Sequence, residues 1–282
     1  MTVPVESPVV VKPARIGLLN EGSLHAELKD LYLTPGSLTE VRVRGFVVDI
    51  LQPDGDIVEI QTGSVAKLKA KLKALVADHR VVLVYPLAVE KQLVVFDAGQ
   101  HTVLYTRMSP RKASLADAFG ELVGISPLLA DPNLELRVLL TRQQEIRRSD
   151  GRGSWRRRGV TIVDRRLLEV REEIRFREVA DYLAVLPDGC PEVFTNRELA
   201  AVMGVSLRTA GRLTYCLRAL GAIALQGKQG RSYLFERTAR AESDAETSAE
   251  GTASGGAGGG AGRRAKPRGR GTPKLSRTRR EQ

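Results

Sequence analysis

The stretch "GFVVDILQPDGDIVEIQTG", residues 45–63, constrains the fold more than any other part of the chain. Two β-branched runs, 46–51 and 57–61, flank Gln-Pro-Asp-Gly-Asp, and Pro, Asp and Gly are the residues that build tight turns. The spacing predicts an antiparallel hairpin in which Leu51 faces Ile57. Successive strand side chains alternate between faces, so Ile57, Glu59 and Gln61 share one side of the second strand, and Val47, Asp49 and Leu51 share one side of the first. In this register Asp49 stands opposite Glu59, their Cβ atoms roughly 4.5–5.5 Å apart. Two carboxylates so placed on an apolar face repel each other. A hard divalent cation, Mg²⁺ or Mn²⁺, would convert that repulsion into attraction.

The flanking segments converge on the same region. Asn20 is placed to cap a helix running to about Leu33, with Leu24, Leu28, Leu31 and Tyr32 as its apolar stripe. Glu21 precedes Leu24 by three positions and Leu28 by seven, so it belongs to the N-terminal end of that stripe. A strand over 40–44 leads into the hairpin. A second helix over 64–78 buries Val65, Leu68, Leu72, Leu75 and Val76; Lys69 borders this stripe, while Lys67 and Lys73 point further outward. "VVLVYP" reads as a buried strand, and "KQLVVFDA" and "TVLYTRM" as another hairpin. Helix, three strands, helix and strand in this order make an α/β core with its sheet covered by helices.

Residues 109–188 predict helical stretches near 114–130 and two strands, "LELRVLLT" and "GVTIVDRRLLEV", joined by an Arg-rich turn. They extend the core or connect it to the C-terminal segment. That turn belongs to a cluster of seven arginines at 142–158 around the single tryptophan, Trp155.

Over 189–238 the signals sharpen. Thr195 and Glu198 have the spacing of a capping box, Gly204 ends the helix they start, and Ser206 caps the next. In that second helix Leu207, Ala210, Leu213 and Leu217 face inward. "AIALQ" and "SYLFER" then form a hairpin around a Gly-Lys-Gln-Gly tip. Two helices and a hairpin in this order resemble a winged helix-turn-helix, which would place Arg208, Thr209 and Arg212 on an outward, groove-reading face and Lys228 and Arg231 at the wing.

The net charge of +11 points to a polyanionic partner, and residues 263–282 alone hold nine Lys or Arg against one Glu. Gly-rich composition before this tail predicts disorder over 239–282, a linker and a basic arm. The longest apolar run, "VVLVYPLAV", is far short of the roughly 20 residues a bilayer requires. The N-terminus has no signal-peptide pattern. The sequence-based expectation is a cytoplasmic protein with nucleic acid, DNA, as partner, no membrane association, and a dimer as a suitable assembly. Two cysteines and three histidines show no metal-binding spacing.

The order helix with Glu21, strand with Asp49, strand with Glu59-x-Gln61, and a Lys-bearing amphipathic helix before a buried strand resembles the PD-(D/E)XK nuclease superfamily, the restriction-endonuclease-like fold, over residues 15–108. The resemblance implies an α-β-β-β-α-β core in which Asp49 and Glu59 hold Mg²⁺ or Mn²⁺ and Glu21 assists. It also implies that Gln61 stands where the family has its catalytic lysine. Lys69, or alternatively Lys71, would then supply the missing cation. The expected function is divalent-metal-dependent hydrolysis of nucleic-acid phosphodiesters, with the winged helix and basic tail aiding DNA binding. The alternative is a non-catalytic DNA-binding regulator on an inactive nuclease-like core.

Overall fold

Gly55 takes a positive φ of 92° at the tip of the 52–56 turn, as a two-stranded hairpin with this loop requires. It closes with Leu51 opposite Ile57 and Ile50 opposite Val58, the register the sequence predicts. A computed structural model describes residues 22–157 and 159–238, and the fold grows outward from this hairpin. Helix α1 (Ser23–Tyr32) is followed by strands β1 (Leu38–Val43), β2 (Phe46–Leu51) and β3 (Ile57–Ile60). A 3₁₀ turn (Val65–Leu68) runs into α2 (Lys69–Leu75), and β4 (Val81–Phe96) and β5 (Val103–Met108) come next. Helix α3 (Leu115–Leu122) and a second 3₁₀ segment (Val123–Leu128) lead to two long strands, β6 (Leu134–Ser149) and β7 (Val160–Phe176).

The seven strands form one mixed sheet in the order β1-β2-β3-β4-β6-β7, with β5 also on β4. Neighbours are antiparallel except β3 with β4 and β4 with β6. The parallel step from β3 to β4 is made by α2, as parallel strands require a crossover connection. Residues 109–176 therefore belong to the core sheet, of which they supply two strands.

Where one strand at 81–86 and a separate hairpin strand are expected, β4 is continuous through Pro86. Val84 gives its carbonyl to Gln61 on the β3 side. Two residues later Pro86 turns its missing donor to that same side, beyond the end of β3, where no ladder bond is lost. The expected helix over 64–78 is divided, opening as a 3₁₀ turn before the α-helical Lys69–Leu75. Asn20, the expected cap of α1, lies outside the described residues. The helix starts at Ser23, whose N–H and Oγ donate to Asp164 of β7 at 3.1 and 2.5 Å. Leu31, expected in its apolar stripe, is exposed, because the helix meets the sheet through Leu24 and Leu28.

One face of the sheet packs on α1 through Leu24, Leu28, Ile50, Val58, Ile60, Val82, Val84 and Leu139. The other packs on α2, α3 and the C-terminal lobe as one uninterrupted core. The 3₁₀ segment after α3 crosses the turn before α2 so closely that a Cβ on Gly124 would sit 2.5 Å from Ala66 Cβ. Gly124→Ala is expected to cost about 1–3 kcal/mol, by overpacking, in urea unfolding. Ala66→Gly in the same chain should recover most of it; a neutral Gly124→Ala would show that this contact yields.

Helix α4 (Val179–Leu183), strand β8 (Val193–Thr195), helices α5 (Asn196–Met203) and α6 (Leu207–Ala219), and strands β9 (Ile223–Gln229) and β10 (Ser232–Arg237) complete the described chain. The last three strands form a second antiparallel sheet, β8-β10-β9. Thr195 and Glu198 make the expected capping box, with Thr195 N–H donating to Glu198 Oε2 at 2.7 Å. Gly204 adopts the left-handed conformation that ends α5, and Ser206 caps α6. The tail over 239–282 lies outside the described residues. Among the described residues no helix is long and apolar enough to cross a membrane.

Candidate functional site

Beyond Ile50 and Val58 the β2–β3 ladder is not continued, and the Asp49 side chain occupies the gap. The Ile60 N–H, which a next rung would give to backbone, donates instead to Asp49 Oδ2 at 2.7 Å. In return Asp49 N–H donates to Glu59 Oε1 at 3.4 Å. The simple cross-strand pair expected from the register is thereby replaced by two carboxylates each bound to the other strand's backbone. A positive φ at Glu40, in β1 alongside, accompanies this irregularity: β1 pairs Thr39 with Ile50 and Val41 with Val48, skipping one rung.

Each carboxylate is held from a different face of the sheet. Helix α1 brings His25, whose Nε2 hydrogen-bonds with Asp49 Oδ2 at 3.3 Å. Helix α2 brings Lys71, whose Nζ donates to Glu59 Oε2 at 2.5 Å. Glu59 is only 2% exposed and Lys71 13%, so this ion pair is largely withdrawn from water.

Burial, and next to it the negative charge of Asp49, push the Glu59 carboxyl up to about 7 in spite of Lys71. Burial alone would also raise Asp49. The hydrogen bonds from His25 and Ile60 N–H, with the charges of His25 and Lys71, outweigh it and hold that carboxyl below its ordinary value. Two neighbouring carboxylates whose affinities for a proton are driven apart are the arrangement by which acid and base roles are divided at an active site.

Lys69, the ammonium expected from the helical stripe, is exposed. It stands one turn before Leu72 in α2 and stays in water, and it is Lys71, next to the buried Leu72, that reaches the sheet. Gln61 turns away from the carboxylates, and its Nε2 donates to the Ser64 carbonyl at 3.1 Å. Glu21 lies outside the described residues. His25 carried no motif; its only signal in the sequence is its position beside Leu24 on the sheet-facing side of α1. Among the described residues no group of three or more His, Cys, Asp or Glu side chains is placed to hold a metal ion.

A cleft of about 200 Å³ opens beside His25, lined by Leu24, Thr62, Asp164 and Arg165 among others. A larger cleft, about 660 Å³, lies at the other end of α1 around Tyr32, Arg137 and Glu173 and does not include the paired carboxylates. The smaller one adjoins the chemistry.

The residues expected to read DNA are distributed differently from the expectation. Thr209 and Arg212 are half-buried, because α6 packs against α3 as well as its own lobe. Thr209 Oγ1 donates to Asp117 of α3 at 3.5 Å, and the Arg212 guanidinium lies over Gly120. Leu207, expected to face inward, is 57% exposed, and Arg208 is exposed beside it. Lys228 belongs to β9, not to the tip, and its Nζ sits 5.1 Å from the Tyr233 ring centroid; Arg231 occupies the exposed turn.

The chain belongs to the family described as a domain of unknown function (DUF8091), which matches residues 22–177. That span runs from the start of α1 to the end of β7, and so contains the whole seven-stranded sheet and the paired carboxylates. A Treponema pallidum (strain Nichols) protein named "Uncharacterized protein" is 34% identical over 223 residues, covering 79% of this chain and 87% of its own length. No solved structure matches the chain.

Proposed function

We propose that this DUF8091 member is a divalent-metal-dependent nuclease that hydrolyses nucleic-acid phosphodiesters, built on a restriction-endonuclease-like core with a winged-helix lobe. The observation that carries the reading is the Lys71–Glu59–Asp49 cluster at the point where β2 and β3 separate. The strand order supports it. A helix, two antiparallel steps and a parallel crossover through a Lys-bearing helix are the arrangement the resemblance implies.

Asp49 and Glu59 would hold the ion. Their oxygens suit Mg²⁺ or Mn²⁺, and the repulsion that raises Glu59 is what a cation relieves. When bound, the ion supplies an acidified water and neutralises charge at the phosphate. The chain does the rest. His25 and the Ile60 N–H orient Asp49, and the Lys71 ammonium places on Glu59 the positive charge that Gln61 cannot provide.

Purified protein incubated with plasmid, linear DNA and RNA should cleave at least one of them with Mg²⁺ or Mn²⁺, and not with EDTA. Asp49→Asn and Glu59→Gln should abolish cleavage, and Lys71→Met should slow it by roughly 10²–10³-fold. Binding without cleavage under every condition would reject this reading. It would favour a non-catalytic DNA-binding protein, a second reading that rests on the Gln61 amide being committed to Ser64.

A further inference from the structure

Beyond Val84 and Arg137, which pair with each other where β3 ends, β4, β5, β6 and β7 continue as an arm. It projects from the same end of the sheet as Asp49 and Glu59, because β3, β4 and β6 run in parallel. Its outermost rung is Ser149 with Val160, and the loop between them carries Trp155. Arg148 lies twelve residues beyond Leu136, which is level with Glu59, roughly 40 Å of strand from the carboxylates.

This tip is built to hold one side chain outward. Asp150 accepts from Arg148 Nε at 2.9 Å, Arg152 N–H at 3.1 Å and Thr161 Oγ1 at 2.8 Å, which fastens the base of the loop. Gly153 N–H donates to the Gly159 carbonyl, and a Cβ at Gly153 would lie 2.0 Å from the Val160 carbonyl oxygen. Gly151 and Gly159 both take positive φ. On this base a single 3₁₀ turn, Trp155–Arg157, presents Trp155 at 83% exposure, with Arg152 and Arg157 exposed on either side. Tryptophan is among the most buried side chains on average, and one raised on a fastened loop among guanidinium groups has a surface suited to a flat π-system carrying negative charge.

We infer that the β6–β7 tip is a binding site for unpaired nucleotides, with a base stacked on Trp155 and the adjoining phosphates met by Arg152 and Arg157. The inference rests on the reading that the chain acts on nucleic acid, and not on whether it cuts. Stacking on an aromatic ring tolerates any base, but the base must be out of a duplex, so the tip selects single strands, frays or flaps. Cleavage at the carboxylates would then fall at a set distance from an unpaired segment.

Trp155 is the chain's one tryptophan, so its fluorescence reports on the site directly. The full chain in EDTA, titrated with a short oligothymidylate, should show fluorescence quenching that tracks the anisotropy of the labelled oligonucleotide. Trp155→Ala should weaken single-strand binding by roughly 5- to 150-fold while leaving affinity for the matching duplex unchanged. Trp155→Phe should retain most of the affinity. Arg152→Gln and Arg157→Gln should each lower the salt slope of single-strand binding by about 0.7. Undiminished fluorescence at saturating oligonucleotide, or equal affinity of Trp155→Ala, would overturn the inference. So would quenching by heparin or anionic vesicles in place of the oligonucleotide. Because the titration is run in EDTA, it reads binding without cleavage, so failure of the nuclease reading leaves this outcome intact.

Discussion

Lys71→Met should cost about 3–5 kcal/mol of folding stability near pH 8 and far less near pH 5. The reason is the burial of its partner. Glu59 is 2% exposed, and its counter-charge is the Lys71 ammonium 2.5 Å away. Without that ammonium an ionised Glu59 keeps a long hydrogen bond from the Asp49 N–H but has the Asp49 carboxylate as its charged neighbour. The group escapes by taking up a proton, which it does readily below its folded pKa.

The sign for the unmodified chain comes from the same carboxyl. Its pKa is raised from 4.5 to about 7, so between these values the folded state holds a proton that the unfolded chain has lost. Stability is therefore highest below the lower value and falls as pH rises through the window, by up to about 1.4 kcal/mol per unit from this group. Lys71→Met extends the fall to higher pH, and Glu59→Gln removes it. Urea unfolding near pH 5 and pH 8 measures all three. An equal loss for Lys71→Met at both values would mean that the lysine acts through the packing of its methylene stem.

Phe176→Ala should cost about 3–5 kcal/mol and lower the stability of both sheets together. Phe176 ends β7 and is 1% exposed. Its ring centroid lies 4.8 Å from that of Tyr182 in α4 and 6.2 Å, edge to face, from that of Phe119 in α3. Through α3 the same core reaches Leu213, Cys216 and Leu217 of α6 and Phe194 and Phe235 of the small sheet. Amides of β3 and α6 should then lose hydrogen-exchange protection in step. Separate unfolding of the C-terminal lobe, with the seven-stranded sheet unaffected, would contradict a shared core.

Much of the scaffold is written locally. The 52–56 turn and the alternation of Ile57, Glu59 and Gln61 determine the hairpin register, because a one-residue slip would carry every side chain of the strand to the opposite face of the sheet. The element order from α1 to α2 comes from periodicity and turn chemistry, although β4 read as two strands, and the Thr195–Glu198 box and Gly204 come from residue type and spacing. The candidate site was legible as far as Asp49 and Glu59, both carried by that hairpin.

What lies between elements was not legible. Whether Lys69 or Lys71 reaches Glu59 depends on how α2 is rotated against the sheet as it buries Leu72 and Leu75. Thr209 and Arg212 read as an outward face because α3, which covers them, is some ninety residues away in the chain. His25 becomes a partner of Asp49 only when α1 is laid across the sheet and held there by Asp164, 141 positions from the serine it caps. The sequence by itself determined the hairpin, its two carboxylates and the order of elements around them, since these depend on neighbours two to ten residues apart. The tertiary structure alone decided which cation and which imidazole reach those carboxylates and how far the arm carries Trp155 from them, since those depend on how distant faces pack.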